Sequence, residues 1–315
     1  MSEHLNLRRQ VLLGPYTTLK IGGPANVLFE ARSTAEAIAA QHWSDENNLR
    51  LTVLGAGSNT LVADRGFVGT IIIARHDGLD WQPPRVVAEA GVKLGQLMAG
   101  ALAHRLGGLA WLVGVPGTVG GAIYGNAGSR TEGLGYLVDW VETLEPDGSV
   151  RRWLPAECGF SYRTSVFKSL RTIILRAQLK LPVVYPTAER MELRRAAAAK
   201  SAHQPTIDSS AGCIFKNPVV GSKQLPDGLQ PYHFPDGTIS AWRLVAAVGL
   251  QGFQLGQVQI SPRHANFMVN LGGARADQVV QLISLVKQRV RDTLGIQLQE
   301  EVQYLGFDDP DHYQR

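Results

Sequence analysis

Cysteine is scarce in this chain, which has only Cys158 and Cys213 among its 315 residues. The two lie far apart and form neither a CxxC pair nor a zinc-ligand spacing. We therefore expect no disulfide and no metal site, and we predict two reduced thiols.

Long apolar runs are also missing. No stretch approaches the roughly 18 consecutive apolar residues of a membrane span, and the N-terminal MSEHLNLRRQ lacks the apolar segment of a secretory signal. Charged residues make up 18% of the chain, and its basic residues occur singly or in pairs. A concentrated basic stripe for nucleic acid is absent, whereas a phosphate-bearing small molecule fits. We expect a cytoplasmic monomer that acts on a small molecule, with neither nucleic acid nor membrane as a partner.

Apolar periodicity indicates three blocks of mixed helix and strand, at about 1–80, 84–185 and 208–300. In the first block, a helix at 34–48 begins at a cap formed by Ser33 or Thr34. The second block contains a helix that ends at Gly107-Gly108 and a hairpin that turns on Pro146-Asp147-Gly148. The strands predicted in these two blocks include 27–31, 51–54, 70–75, 85–91 and 173–181.

The third block ends in the chain's clearest helix, which stops at Gly295. Its apolar stripe is formed by Val279, Leu282, Ile283, Val286, Val290 and Leu294. The following EEVQYLGF is predicted to be a strand that returns to the body of the protein. Residues 219–240 are rich in turn formers and predict a surface loop near the site.

Glycines cluster at 55–59, 114–122 and 125–128. The first cluster follows a strand but lacks the third glycine of the Rossmann dinucleotide fingerprint, so a Rossmann fold is not predicted. Its consecutive N–H groups can bind an anion, although a plain tight turn fits this cluster equally well. The second cluster leads into a helix start with small residues, which offers more donors. Two such loops predict a large phosphate-bearing cofactor.

Seven motifs occur in order and together resemble the UDP-N-acetylenolpyruvoylglucosamine reductase (MurB) family of flavoenzymes. They are KIGGPA at 20, LGAGSNTLVADRGFVGT at 54, GVPGTVGGAIYGNAG at 114, SYR before SVFK at 161, AGCIFKNP at 211, SPRHANFMVN at 261 and EEVQYLG at 300. The resemblance covers roughly residues 16 to 307.

The resemblance implies an α+β fold with an FAD-binding module of the vanillyl-alcohol-oxidase (PCMH) type. Its two subdomains would be 1–80 and 81–205, and a smaller α+β domain at 206–315 would bind the UDP-sugar. FAD would be held non-covalently, and NADPH would be the reductant. The residues implied to contact FAD are Gly55, Ala56, Gly57, Ser58, Asn59, Thr60, Val115, Pro116, Gly117, Thr118, Gly120, Gly121 and Ala122.

The implied reaction reduces the enolpyruvyl group of UDP-N-acetylglucosamine enolpyruvate to give UDP-N-acetylmuramate. Hydride comes from flavin N5, and Arg163 and Glu301 would stabilise the enolate that develops. Substrate contacts are implied for Tyr162, Lys216 and Asn217. His264 and Asn266 are further candidates to line the site, although a buried structural histidine fits as well.

Cys213 stands where the family most often has the serine that protonates the enolate carbon. A thiol is a stronger acid than an alcohol and stays mostly protonated at neutral pH, so the replacement is chemically tolerable. The alternative is that Cys213 is a small buried hydrophobe, as we expect for Cys158. Two other functions remain open: a different FAD oxidoreductase on the same fold, and a nucleotide-binding relative without catalysis.

Overall fold

The computed structural model describes residues 6–129, 132–205, 208–221 and 225–307. Three sheets follow one another along the chain, and a separate two-stranded pair joins residues 60–62 to residues 303–305. The outer limits expected for the first and last units, at residues 1 and 315, lie outside the described residues.

The first sheet has four strands and is built around a buried β-branched strand. Its elements are β1 (Leu7–Leu12), β2 (Pro24–Ala31), α1 (Thr34–Glu46), β3 (Leu51–Leu54), β4 (Thr60–Val62), which lies outside the sheet, and β5 (Phe67–Ala74). The order is β1-β2-β5-β3, with β1 antiparallel to β2 and the other pairs parallel. Ser33 caps α1, because its Oγ accepts a hydrogen bond from the Glu36 N–H at 3.1 Å. The strands and the helix predicted here are confirmed.

The second sheet has five antiparallel strands. Its strands are β6 (Leu79–Gln82), β7 (Arg85–Glu89), β8 (Val138–Leu144), β9 (Val150–Trp153) and β10 (Ile173–Lys180). They lie in the order β6-β7-β10-β8-β9. The predicted β8–β9 hairpin is present, and Gly148 takes the left-handed φ of +82° that its turn requires. Two helices, α2 (Leu94–Ala103) and α3 (Val119–Gly125), contribute to the same apolar core.

Helix α2 ends earlier than predicted, before Gly107-Gly108. Arg105 takes the left-handed conformation, with φ of +57°. The Leu106 N–H then donates to the Ala101 carbonyl at 2.8 Å, and the Arg105 N–H donates to the Leu102 carbonyl at 3.2 Å. This is a Schellman-type ending in which arginine occupies the position that usually favours glycine. The prediction was wrong because it took the nearest glycines as the stop.

A long helix, α4 (Pro186–His203), leads from the second sheet to the third. The third unit consists of β11 (Ser209–Cys213), α5 (Ala241–Ala247), β12 (Gln254–Leu255), β13 (Val258–Ile260), β14 (Phe267–Asn270) and α6 (Ala276–Leu294). Its antiparallel sheet has the order β11-β14-β13-β12. The predicted loop contains a 3-10 turn, Asp227–Tyr232, and bridges Val219 to Thr238; residues 222–224 lie outside the described part.

Helix α6 packs as its periodicity predicts. Five of the six stripe residues are buried, and Leu294 is partly buried against the same core. Gly295 ends the helix at a φ of +69°. The first unit caps its other end, because Asp64 accepts hydrogen bonds from the N–H groups of Ala276 at 2.9 Å and Asp277 at 3.1 Å.

The final strand, β15 (Gln303–Leu305), pairs in parallel with β4 of the first unit. The Gln303 N–H donates to the Asn59 carbonyl at 2.8 Å, and the Glu301 N–H donates to the Ile214 carbonyl at 2.7 Å. The predicted return of this strand is confirmed. It brings residues 300–305 beside both the first glycine loop and the segment that follows Cys213.

Candidate active site

The two glycine-rich loops lie against each other. Gly55 follows β3, and a Cβ atom built at Gly55 would lie 2.5 Å from Thr118 Oγ1 at the start of α3. Thr118 Oγ1 caps that helix by accepting a hydrogen bond from the Gly121 N–H at 3.3 Å. Only glycine permits this approach, so the loops at 55–60 and 114–122 form one surface.

The first loop requires glycine for a second reason. Gly57 has φ of +58°, and a Cβ atom there would lie 2.3 Å from the Tyr16 carbonyl oxygen. Within the described residues, the N–H groups of Ala56 and Ser58 donate to no acceptor. Neighbouring N–H groups left open in a turn form a concavity that suits an anion such as a pyrophosphate. These residues therefore fit the phosphates of FAD.

Arg163 lies in a strained turn at the centre of the site. Its φ is +56°, which costs a non-glycine residue on the order of 1 kcal/mol. The Ser161 and Thr164 backbones hold the turn by donating to each other's carbonyls, both at 3.1 Å. The guanidinium Nη1 donates to the Gly128 carbonyl at 2.6 Å. Strain of this kind persists where a functional side chain must be aimed.

Arg163 and Glu301 form a partly buried ion pair. Arg163 Nε lies 2.7 Å from Glu301 Oε1, and the two side chains are 21% and 15% exposed. Burial raises the pKa of Glu301, while Arg163, Lys168 and Lys216 act in the opposite direction. Burial alone would lower the pKa of Arg163, but Glu301, Tyr162 and Cys213 together outweigh it and the net pKa is raised. The pair thus keeps a cation in a water-poor pocket.

Cys213 lies at the end of β11, beside this pair. Gly212 precedes it at a φ of +75°, and the β11–β14 pairing has an irregularity between Ser210 and Cys213. Burial raises the pKa of the Cys213 thiol to about 12, and Glu301 adds to the shift, while Arg163 and Lys200 oppose it. The thiol therefore keeps its proton at neutral pH, and two cations are placed to stabilise the thiolate.

The segment after Cys213 is anchored by Asn266. Its side chain accepts from the Phe215 N–H at 2.9 Å and donates to the Phe215 carbonyl at 2.8 Å. Asn266 is 3% exposed, so it holds Cys213's neighbours in place. The His264 ring packs at a tilt against Trp242, with ring centroids 5.3 Å apart, and edge-on against Phe267, at 5.0 Å. Burial lowers the pKa of His264 to about 4.

The three expected substrate residues also come together here. The Asn217 N–H donates to the Tyr162 hydroxyl at 3.3 Å, which joins the Arg163 turn to the segment after β11. Asn217 Oδ1 accepts from the Ala241 N–H at 3.0 Å and so caps α5, leaving its amide hydrogens as the donors for a ligand. Lys216 acts on the Glu301 carboxyl through its charge.

Two lysines of the site escaped the sequence reasoning. Lys168 Nζ donates to the Arg163 carbonyl at 2.8 Å, and Lys200 Nζ donates to the Trp111 carbonyl at 2.8 Å. Lys168 belongs to the SVFK motif but received no role. Lys200 lies in a helix with no distinctive pattern, and no sequence signal marked it.

Cys158 lies apart from these groups. It is fully buried in the core of the second unit, and burial raises its pKa to about 11.

Two features that many proteins use are absent from the part of the chain that the structure describes. No helix there combines the length and apolarity of a membrane crossing. No three His, Cys, Asp or Glu side chains in those ranges gather as a candidate metal site.

Comparison with known proteins identifies two regions. Residues 25–153 match the family described as FAD binding domain. Residues 204–305 match the family described as UDP-N-acetylenolpyruvoylglucosamine reductase, C-terminal domain.

Similarity to whole proteins extends over nearly the full chain. The UDP-N-acetylenolpyruvoylglucosamine reductase of Trichormus variabilis is 35% identical over 95% of this chain and 86% of its own length. That of Carboxydothermus hydrogenoformans is 36% identical over 93% of this chain and 92% of its own. The crystal structure of the Thermus caldophilus MurB enzyme has a TM-score of 0.77, with 33% identity over 96% of this chain and 99% of that one.

These matches confirm the expected α+β fold, FAD as cofactor and the oxidoreductase class. The identity and coverage of the relatives show that the chain belongs to the UDP-N-acetylenolpyruvoylglucosamine reductase family.

Proposed function

We propose that the chain reduces UDP-N-acetylglucosamine enolpyruvate to UDP-N-acetylmuramate in peptidoglycan precursor synthesis, with NADPH as reductant and Cys213 as proton donor. The observation that carries the proposal is the Arg163–Glu301 pair, at 2.7 Å, whose two charges both act on the pKa of the protonated Cys213 thiol. Reduction of an enolpyruvyl group needs this set: a cation for the developing charge and an acid for the carbon.

We further propose a division of labour along the chain. Residues 1–80 and 81–205 hold FAD through the loops at 55–60 and 115–122, and residues 206–315 bind the UDP-sugar. The open N–H groups of Ala56 and Ser58 support a place for the cofactor's phosphates. When bound there, FAD would supply the redox chemistry, carrying the electron pair of NADPH as hydride to the methylene carbon of the enolpyruvyl group.

Arg163 stabilises the charge that this addition creates. Negative charge develops on the carbon next to the substrate carboxylate and spreads onto the carboxylate oxygens. A planar guanidinium can meet both oxygens and stays charged throughout. The strained turn and the Gly128 contact support this role, because they hold the guanidinium in place before substrate arrives.

Cys213 completes the reaction by protonating that carbon. The S–H bond breaks as the new C–H bond forms, and the sulfur keeps the electron pair as a thiolate. Arg163 and Lys200 lower the energy of the thiolate, which regains its proton from water before the next turnover. The raised pKa supports this order of events, because the thiol arrives at the reaction protonated.

Glu301 orients Arg163 and balances its charge, since its Oε1 lies against Arg163 Nε. Lys216, Asn217 and Tyr162 bind the anionic groups of the UDP-sugar. Lys216 supplies a point charge, and the Asn217 amide supplies directed donors. We place this monomer in the cytoplasm, where free thiols persist.

Stopped-flow absorbance of the flavin tests the proposal in two halves. NADPH should bleach the oxidised flavin band, and the enolpyruvyl sugar should restore it without oxygen. Restoration by oxygen but not by the sugar would indicate a different FAD oxidoreductase. Protein purified without flavin absorbance, and unable to bind FAD, would indicate a nucleotide-binding relative without catalysis.

A further inference from the structure

The side chain of Lys168 forms a hydrogen bond with the backbone of Arg163. The lysine ends the 3-10 turn Val166–Lys168, whose Phe167 is buried in the core of the second unit. That anchor fixes where the lysine stem begins. Its ammonium donates to the Arg163 carbonyl at 2.8 Å. A charged donor makes this a stronger hydrogen bond than one between neutral groups.

The carbonyl that receives this bond belongs to a residue in the left-handed conformation. Other contacts hold the rest of the turn. Asn126 Nδ2 donates to the Ser161 carbonyl at 2.8 Å, and Ser165 Oγ donates to the Tyr124 carbonyl at 2.7 Å. Lys168 supplies the contact on Arg163's own peptide, and the orientation of that peptide determines where the guanidinium points.

We propose that Lys168 is a positioning residue for the reduction: its ammonium holds the Arg163 backbone so that the guanidinium stays against Glu301 and within reach of the Cys213 thiol. The inference rests on the proposed function of Arg163. It adds a residue that acts through Arg163 and does not contact the sugar.

The surroundings of Lys168 make this contact sensitive to pH. Burial and the charges of Lys216 and Arg163 lower the pKa of Lys168 to about 8, and Glu301 opposes them in part. The fourth neighbour is the Tyr124 ring, whose centroid lies 5.8 Å from Nζ. Below pH 8 the bond to the Arg163 carbonyl is charge-assisted, and above it a neutral amine holds the carbonyl more weakly.

Three variants of the FAD-loaded enzyme test the proposal by stopped flow. Lys168→Met should leave FAD content and flavin reduction by NADPH unchanged. At saturating sugar it should slow flavin reoxidation about 10- to 100-fold, the size expected for a misplaced catalytic group. Lys168→Arg should restore most of that rate. Lys180→Met, at the exposed end of β10, is the matched control and should behave as wild type.

The pH dependence of the flavin reoxidation rate distinguishes a positioning role from a purely structural one, because a purely structural lysine would not change it. In wild type the reoxidation rate should fall as pH rises through about 8. This limb should be missing in Lys168→Met, which is slow on both sides, and in Lys168→Arg, which stays charged.

A double-mutant cycle separates positioning from direct contact with substrate. In an Arg163→Ala background, Lys168→Met should change the rate by less than about twofold, because the residue it positions is gone. An undiminished effect would assign Lys168 to the substrate and overturn the proposal. Calorimetric affinity for UDP-N-acetylmuramate should stay within about threefold of wild type in Lys168→Met.

The remaining outcomes are equally decisive. Wild-type rate and pH profile in Lys168→Met would overturn the inference and leave the proposed function intact, as would equal loss of FAD content and both half-reactions. Failure of the wild-type protein to reoxidise its flavin with the enolpyruvyl sugar would overturn both.

Discussion

Glu300 and Glu301 are neighbours in the chain, yet their carboxylates pair with cations of different units. Glu300 Oε1 accepts a hydrogen bond from Lys287 Nζ of α6 at 2.9 Å, whereas Glu301 Oε1 lies 2.7 Å from Arg163 Nε. The segment before β15 therefore directs one carboxylate to the third unit's helix and the other into the site.

This arrangement predicts opposite results for two matched substitutions. Glu301→Gln should slow flavin reoxidation by the sugar about 10²-fold or more, because Arg163 loses its counter-charge. Glu300→Gln should leave that rate unchanged and alter the free energy of unfolding by less than about 1 kcal/mol, as expected for a partly exposed pair. Stopped flow and urea unfolding measure the two effects, and equal damage from both variants would contradict our assignment.

The proton-donor role of Cys213 predicts different reoxidation rates for its serine and alanine variants. Cys213→Ser should keep reoxidation within about tenfold of wild type, whereas Cys213→Ala should slow it about 10²- to 10⁴-fold, because only the first supplies a proton. Flavin reduction by NADPH should be intact in both, as single-turnover stopped flow can measure. Equal loss of both half-reactions in Cys213→Ala would remove the proton-donor role.

The positive φ of Arg163 predicts that alanine and glycine variants lose activity equally but differ in stability. Arg163→Ala and Arg163→Gly should both retain FAD and lose reoxidation about 10²-fold, because neither has a guanidinium. Arg163→Gly should nevertheless be more stable than Arg163→Ala by about 1 kcal/mol, since glycine adopts the positive φ without strain. Urea unfolding compares the pair, and an Ala variant at least as stable as the Gly variant would argue against strain.

The conformation of Gly57 predicts that an alanine variant binds FAD more weakly but keeps its catalytic groups. A methyl group in Gly57→Ala would meet the Tyr16 carbonyl and stand at a φ of +58°. The loop must shift, and a cost of about 1–2 kcal/mol would weaken FAD binding roughly tenfold. The flavin-to-protein absorbance ratio reports FAD content. Gly95→Ala, where nothing lies within 4 Å of the added Cβ, is the matched control and should keep its FAD.

His264 predicts that the free energy of unfolding falls at acid pH. Its folded pKa of about 4 lies below the ordinary value of 6.5, so the unfolded chain binds a proton that the folded chain excludes. The resulting stability is complete above pH 6.5 and is lost as pH falls from 6.5 to about 4. His264→Phe should remove on the order of 3 kcal/mol of this pH dependence.

Urea unfolding at several pH values measures this fall. His42→Gln, on the exposed side of α1, should reproduce the wild-type curve and serves as control. If the free energy of unfolding of His264→Phe fell at acid pH as much as that of wild type, other groups would be its cause.

Local signals explain which elements were predictable from the sequence. The stripe of α6 and the Ser33 cap of α1 arise within a few residues, so periodicity and capping chemistry identify them. The α2 ending depended on Arg105 taking a left-handed conformation, which no residue preference favours. The placement of β10 between β7 and β8 comes from pairing between distant segments.

The residues of the site likewise divide into those that the sequence identified and those that it did not. Resemblance to the family named Arg163, Cys213 and Glu301, which are far apart in sequence, and the fold brings them together. Lys200 was missed because its acceptor, the Trp111 carbonyl, lies 89 positions away. Lys168 was missed because its function runs through a backbone carbonyl, and side-chain motifs do not record such contacts.

The pairing of Gln303–Leu305 with Thr60–Val62 has a consequence for biosynthesis. A nascent chain emerges N-terminus first, and its early units can fold as they leave the ribosome. Glu301 reaches Arg163 only after nearly the whole polypeptide has been translated. Ribosomal products that stop before β15 would thus lack both Glu301 and the strand that lies against the first glycine loop, and the cell would gain a working reductase only from messages read through to that strand.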